Sequence, residues 1–367
     1  GFIRKKSVPL VKCKTVDLEV PANSEIILEG FIDPSEMRLE GPFGDHTGYY
    51  SQDGDYPVFH LTAITHRKDP IYLTTIVGKP PQEDFYLGRA TERIFLPLMR
   101  TQLPEIVDIN MPVEGVFHNC VIVSIDKRYP MQSRRLMSAL WGLGQMSFVK
   151  TIITVESKID VNDYDELIKI LLDEINFKRD LFFSEGVLDV LNHGSDNMLY
   201  GSKLGIDLTE KIEGEPGYGE NKSPASKISP LPSKEQVKSR FPDLKDCRIL
   251  DINAHRSAMY AALDKTRPHQ AEEFIKAFFN APEFSSIDIL IVLEGHVKLD
   301  DHSIVMWKFF NNLDPKRDFY FEGDQLAIDV TQKLKEEGYQ QSWPEEIEMS
   351  EEIKTRVDAK WNSLFNK

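Results

Sequence analysis

TIITVESKIDVND, residues 151–163, sets a short β-branched run against a polar break and then an acidic step down to Asp163. A run of this kind reads as a strand, with a helix following from Asp163. The pattern returns as ILIVLEGHVKLDD at 289–301. In that register residues 131–186 lie over 269–324 without a gap, and NFKRDLFF (176–183) lies over DPKRDFYF (314–321). After a shorter connection in the second copy, GSKLGIDLTEK (201–211) lies over GDQLAIDVTQK (323–333). Identity is thin, but apolar positions and turn residues coincide, which predicts two duplicated α/β units.

Working outward, the first copy reads as strand CVIVSI (120–125), a helix from about Met131 to Leu143, strand TIITV, a helix from Asp163 to Glu174 and strand DLFFS (180–184). Upstream, VDLEVPANSEIILEGFI reads as two strands broken at Pro21-Ala22-Asn23. PVFHLTAITHR and PIYLTTIVGKP read as two more β-rich runs around Lys68-Asp69-Pro70, so the first part of the chain is expected to be mostly antiparallel β. Leu87, Ala90, Ile94, Phe95, Leu98 and Met99 recur at helical spacing, as an amphipathic helix covering the sheet would, with Pro97 bending it late. Between the copies, EGEPGYGENKSPASKISPLPSKEQ reads as an exposed linker. SEEIKTRVDAKWNSLF reads as a last helix with Ser350 as its N-cap and Ile353, Val357, Trp361 and Leu364 on one stripe.

The 367 residues allow two or three units with sizeable cores. A net charge of −15 without a dense Lys/Arg run argues against a nucleic-acid partner. No stretch reaches the roughly 20 apolar residues of a membrane span, and no secretory signal is evident, so a cytoplasmic protein is expected. Cys13, Cys120 and Cys247 suggest neither a disulfide framework nor a metal knuckle. The initial Gly points to processing or truncation.

LEGPFGDHTGYY, residues 39–50, is the stretch with chemical content. Gly41, Pro42 and Gly44 let the backbone fold tightly and bring Glu40 and Asp45 toward one pocket, where one of two close carboxylates holds its proton to higher pH. His46 could supply or relay that proton. On composition alone the stretch reads as an acidic turn. Asp53 and Asp55 lack the remaining ligands of a calcium loop. Lys203 is a candidate anion contact, against the alternative of a solvated lysine at a helix-start turn; Gln325 holds its place in the second copy. The KRD triplets at 178–180 and 316–318 read as structural braces. His118, His193, His255 and His296 show no metal-ligand spacing, and GxGxxG, GxSxG and HExxH are absent.

Read in order, VKCKTVDLEVPANSEIILEGFI (11–32), LEGPFGDHTGYYS (39–51), VGKPPQEDFYLGRATERIFLPLMRTQLPEIVD (77–108), GSKLGIDLT (201–209) and VDAKWNSLF (357–365) resemble the UbiD family of prenylated-FMN-dependent decarboxylases. The resemblance covers residues 1 to about 211 and the terminal helix; the second α/β copy looks like an elaboration found in longer members. It implies a mixed α+β and α/β fold: a split β-barrel region over 1–115, α/β units over 116–211 and 246–340, a linker over 212–245, and an oligomerisation helix over 341–367.

The resemblance further implies non-oxidative decarboxylation or carboxylation of an aromatic or phenolic acid, of the 4-hydroxybenzoate type used in ubiquinone and menaquinone biosynthesis. Asp45 takes the place of the proton donor and Glu40 that of the acid orienting the catalytic arginine, with Leu87 and His46 at the substrate pocket. Implied cofactors are prenylated FMN, a divalent metal (Mn or Mg) and a monovalent cation. The family's flavin-binding segment, catalytic arginine and metal ligands precede the matched region, so the chain is expected to carry the acidic half of the site and no metal ligand, and to be inactive alone. Implied partners are a small aromatic acid, further copies of the chain in a dimer or hexamer, and a membrane surface met peripherally through a lipophilic substrate. Two other readings stand beside it: a non-catalytic assembly fragment, and a chain that binds a carboxylate without turning it over.

Overall fold

Thr151–Glu156 and Ile289–Glu294, the runs that anchor the repeat, are central strands of two separate five-stranded sheets. The computed structural model describes residues 4–220, 230–250, 252 and 254–365. These divide into two units, Gly1–Gly78 with Pro344–Lys367, and Lys79–Trp343.

In the first unit, β1 (Leu10–Lys12) pairs antiparallel with β2 (Glu19–Pro21), and β3 (Ile26–Glu40) with β4 (Gly54–His66). These remain two-stranded ribbons, and among the described residues they close no barrel. Closure needs more strands than these ribbons hold. PIYLTTIVGKP forms no strand: Ile71, Tyr72 and Leu73 are 66%, 77% and 87% exposed, so its β-branched and aromatic residues lack a ladder to join. Glu29, inside β3, is buried and ties the ribbons together, accepting from Lys14 N at 2.8 Å and from Thr15 Oγ1 at 2.8 Å.

The second unit opens with α1 (Glu83–Gln102) and β5 (Ile106–Asn110), then β6 (Cys120–Ile125), α2 (Gln132–Leu140), β7 (Thr151–Glu156), α3 (Tyr164–Glu174), β8 (Leu181–Val187) and β9 (Tyr200–Asp207). The second copy runs α4 (Lys234–Arg240), β10 (Leu244–Ile249), β11 (Ala258–Leu263), α5 (Gln270–Phe279), β12 (Ile289–Glu294), α6 (His302–Asn312), α7 (Pro315–Asp318), β13 (Phe319–Glu322) and β14 (Gln325–Asp329). Strand orders are β5-β6-β7-β9-β8 and β10-β11-β12-β14-β13, parallel at the centre and antiparallel at both edges. A shift of 138 residues carries β6, β7 and α3 onto β11, β12 and α6 end for end, and carries the bulge between Ile106 and Asp108 onto that between Leu244 and Asp246. The helix starts repeat too: Met131 and His269 take left-handed φ of 63° and 59°, while Asp163 and Asp301 cap α3 and α6.

Alternation along the strands explains the layers. Cys120 and Ile122 of β6 point into a core shared with Tyr260, Ile291, Val305 and Phe310 of the second copy, while Val121, Val123 and Ile125 face Leu136, Met137 and Leu140 of α2. The second sheet turns its other face to α4 and α5 through Val237, Phe274 and Phe278. Arg179 grips its neighbour Asp180, and Arg317 grips Asp318, as braces for the turns before β8 and β13.

Two placements differ from the sequence reading. α1 and β5 belong with the α/β units rather than with the preceding strands. The span 212–245, read as linker, contains α4, capped by Ser233 and Gln236, and a buried Glu215 that pairs with Lys127 at 2.5 Å. Residues 221–229 of that span lie outside the described residues. After α7, β13 and β14, the chain ends in α8 (Glu351–Phe365), with Ser350 Oγ accepting from Ile353 N at 3.3 Å. Its residues Ile353, Val357 and Trp361 are exposed, and the Leu364 side chain lies outside the described set.

Candidate active-site turn

Glu40 ends β3 opposite Gly54, exposed to solvent. The chain then reverses through Gly41, whose φ of +94° favours glycine and where a Cβ would meet Asp53 Cα at 3.2 Å. Past Pro42, Ser51 N donates to Phe43 O at 2.8 Å and Gly44 bridges to Tyr50, closing a loop around residues 45–49. Inside it, Asp45 N donates to Tyr49 O and Gly48 N to Asp45 O. Thr47 and Tyr49 are buried.

A second segment of the same unit holds this loop. Tyr50 N donates to Glu345 O and Ile347 N to Gly48 O, each at 2.9 Å. Gly44 is needed for that docking, because a Cβ there would meet Ile347 Cδ1 at 2.9 Å. Backbone bonds on both sides therefore fix the main chain from which the Asp45 carboxyl projects.

Asp45 Oδ1 accepts from His46 N at 2.7 Å and lies 2.9 Å from His46 Nδ1. Their side chains keep 23% and 24% of their exposure, enough for solvent and a ligand to reach them. Asp45 and His46 are thus together, whereas Glu40 sits at the strand end on the far side of the Gly41–Pro42 step.

The other sequence-derived candidates lie in the second unit. Leu87 is on α1 and 58% exposed, as are Tyr86, Ile94 and Phe95 to similar degrees. The helix buries Glu92 instead, held by Arg89, Arg93 and the backbone N of Met111 at 2.8, 2.7 and 2.8 Å. The apolar stripe is therefore split: Leu87, Ile94 and Phe95 stay exposed, while Met99, with Leu96, packs on the core beside the ion cluster.

Lys203 is a buried residue of β9, not a solvated lysine at a helix start. Its Nζ donates to Ser147 O at 2.7 Å and Val149 O at 2.9 Å. Gln325 Nε2 donates to Phe284 O and Ile287 O, the latter the counterpart of Val149 under the 138-residue shift. Desolvation pulls the Lys203 ammonium down to about 8. One of its two carbonyl partners, Val149 O, thus has a counterpart that the duplicated unit satisfies with an amide.

Sequence reasoning missed a polar seam between the two copies. Lys150 Nζ donates to Asn311 O at 3.4 Å and to Asn192 Oδ1 of its own copy at 2.8 Å, Asn119 Nδ2 donates to Asn311 Oδ1 at 3.1 Å, and the Ser202 hydroxyl bonds Asp314. Burial lowers Lys150 to about 7 and His193 to about 3. Asn119 and Lys150 lie in segments that look like ordinary strand edges, so only the repeat, with its two facing copies, could have pointed here. Among the described residues no group of three or more His, Cys, Asp or Glu is placed to hold a metal, and no helix is long and apolar enough to cross a membrane.

Comparisons with known proteins bear on both units. The family pattern described as the 3-octaprenyl-4-hydroxybenzoate carboxy-lyase Rift-related domain matches residues 1–80. That described as the 3-octaprenyl-4-hydroxybenzoate carboxy-lyase (UbiD) C-terminal domain matches 85–208 and 228–339. An uncharacterized protein of Helicobacter pylori is 35% identical over 368 positions, covering 96% of this chain and 56% of the relative. One from Archaeoglobus fulgidus is 52% identical over 219, covering 59% of this chain and 45% of the relative. The chain spans about half the length of the curated relatives it matches. Among solved structures, the UbiD-class enzyme HmfF of Pelotomaculum thermopropionicum in complex with FMN aligns at 28% identity and TM-score 0.50, over 64% of this chain and 50% of that one. Vanillic acid decarboxylase of Sedimentibacter hydroxybenzoicus aligns at 26% and 0.53, over 64% and 49%.

Proposed function

The chain belongs to the UbiD family, and on that premise we propose that the complete protein is a prenylated-FMN-dependent decarboxylase of an aromatic acid, of the phenolic 4-hydroxybenzoate type, to which this chain contributes the proton donor Asp45. The observation that carries the reading is the backbone-fixed, part-exposed Asp45 carboxyl with the His46 ring 2.9 Å away. When CO2 leaves, the bonding pair stays on the ring carbon that bore it, and a positioned carboxylic acid can protonate that carbon. Asp45 ends as a carboxylate and His46, open to solvent on one side, returns the proton. Glu40 serves as the acid that orients an arginine supplied by the rest of the protein.

The residues present fit one end of the flavin and not the other. Glu40, Asp45, Asp53 and Asp55 make this turn acidic, suited to proton transfer and hostile to a phosphate. No residue of this chain is assigned to the flavin phosphate or its metal. Bound, the prenylated flavin supplies the electron sink for the carbon losing CO2. Leu87 and the exposed apolar face of α1 suit a wall for an aromatic ring.

The exposed Ile353, Val357 and Trp361 of α8 support a homo-oligomer that buries this stripe. Light scattering on a chain ending before Ser350 should show a smaller species; an unchanged oligomer rejects the helix's role. The activity is tested by loading the complete protein with prenylated FMN and measuring CO2 release from a panel of phenolic acids. Turnover of at least one is expected, and none across the panel would reject the reading.

A further inference from the structure

A groove of about 850 Å³ lies in the second α/β copy, and its cations come from three elements: Lys234 and Lys238 of α4, Lys245 and Arg248 of β10, and Lys298 of the loop after β12. Only Asp246 and Asp300 oppose them in the lining, a surplus of three positive charges on a protein whose net charge is −15. Lys234 pairs with Asp246 and Lys238 Nζ donates to Lys245 O, but Lys245 and Lys298 have no carboxylate within ion-pair distance among the described residues. Both are exposed. The groove runs between α4, the edge strand β10 and the residues that follow β12.

The first copy shows what the same place holds when the chain fills it. Under the 138-residue shift Asp246, Arg248, Ile249 and Asp300 match Asp108, Asn110, Met111 and Asn162. Asn110 donates to Val161 O at 2.6 Å, and Arg248 donates to the matching Leu299 O at 3.2 Å, so the two walls are built alike. In the first copy α1 lies against that wall: Arg89 bonds Asn110 and Asn162, Arg93 bonds Asp108, and the fully buried Glu92 carboxylate is held between them and by Met111 N. α4 begins at Lys234, which matches Leu96, so it is too short to supply any of those three side chains. Where the first copy buries an anion of its own, the second presents cations to the outside.

We propose that this groove is a binding site for a compact polyanion of two or three negative charges, phosphate or carboxylate in kind. The inference stands apart from the decarboxylase reading, since its residues and its readout do not involve the flavin or turnover. Lys245 and Lys298 are the primary contacts, with Arg248 and Lys238 framing the ligand.

Isothermal titration of the full chain with pyrophosphate and with citrate, at low salt and at 0.5 M NaCl, tests it. Saturable one-to-one binding is expected for at least one probe, weakened by salt and weakened at least tenfold in the Lys245→Ala/Lys298→Ala variant. Preference for pyrophosphate assigns a phosphorylated ligand, and preference for citrate a polycarboxylate. Circular dichroism checks that the variant folds; should it not, Lys245→Gln/Lys298→Gln takes its place with the same expectation. No saturable heat with either probe, or equal binding by the folded variant, overturns the proposal.

Discussion

Asp45 and His46 are joined twice: the Asp45 Oδ1 atom lies 2.7 Å from the His46 backbone N and 2.9 Å from its ring Nδ1. Adjacent residues rarely face each other, and here the loop closed by Phe43 and Ser51 makes them do so. His46→Phe keeps the backbone bond and removes the ring partner. In the complete enzyme it should lower kcat by roughly a hundredfold, the low end of the usual range for proton-transfer groups, with KM changed little; an unchanged kcat would remove His46 from the proton path.

Lys203 and Gln325 hold an equivalent carbonyl in the two copies, Val149 O and Ile287 O, which makes Lys203→Gln a conservative substitution. Its stability should change by less than about 1 kcal/mol in denaturant titration, whereas Lys203→Met, which strands the Ser147 and Val149 carbonyls, should cost about 1–3 kcal/mol. An anion-binding role would instead appear as a raised KM in Lys203→Gln with stability intact.

Lys150 makes stability depend on pH with a definite sign. Burial lowers its folded-state value from 10.5 to about 7, despite the nearby Asp314 and Asp318. Between those values the unfolded chain holds a proton that the folded chain has lost, so unfolding free energy should rise with pH across this window. The burial penalty is fully present below it and gone above it. Comparing melts of the wild type and Lys150→Met from pH 7 to 10 checks this: the upward slope should be shallower in the variant.

Gly194 packs into the seam between the copies, where a Cβ would meet Asn311 O at 2.7 Å and Leu313 O at 2.8 Å. Both are backbone atoms and cannot swing away. Gly194→Ala should destabilise the chain by about 1–3 kcal/mol and raise hydrogen exchange across α6 more than across α2; a wild-type exchange pattern would contradict the seam as described.

The two α/β units were legible because their central strands are buried on both faces and so leave continuous apolar runs, and because the 138-residue register repeats punctuation as well as composition. The ends of β6, β7 and α3 follow from that register almost without adjustment. PIYLTTIVGKP misled for a physical reason: β propensity describes a surface that fits a sheet, and says nothing of whether a partner strand is there. The stripe through Leu87, Ile94 and Phe95 misled similarly, since an apolar face announces burial without naming what buries it. α4 hid in a Pro- and Ser-rich span, although Ser233 and Gln236 spell a capping box ahead of Val237 and Phe241. At the turn, the residue types of Glu40, Asp45 and His46 were readable, but the Asp45–His46 contact depends on loop closure that spacing alone leaves open.

The central claim is that Asp45 delivers the proton after CO2 departs. Its most direct test is a single turnover in D2O by the complete flavin-loaded enzyme carrying Asp45→Asn, following CO2 release and deuterium at the carbon that bore the carboxylate. Continued CO2 release in the first turnover, with deuteration slowed at least a hundredfold, is the predicted result. Deuterium incorporation at the wild-type rate would contradict it.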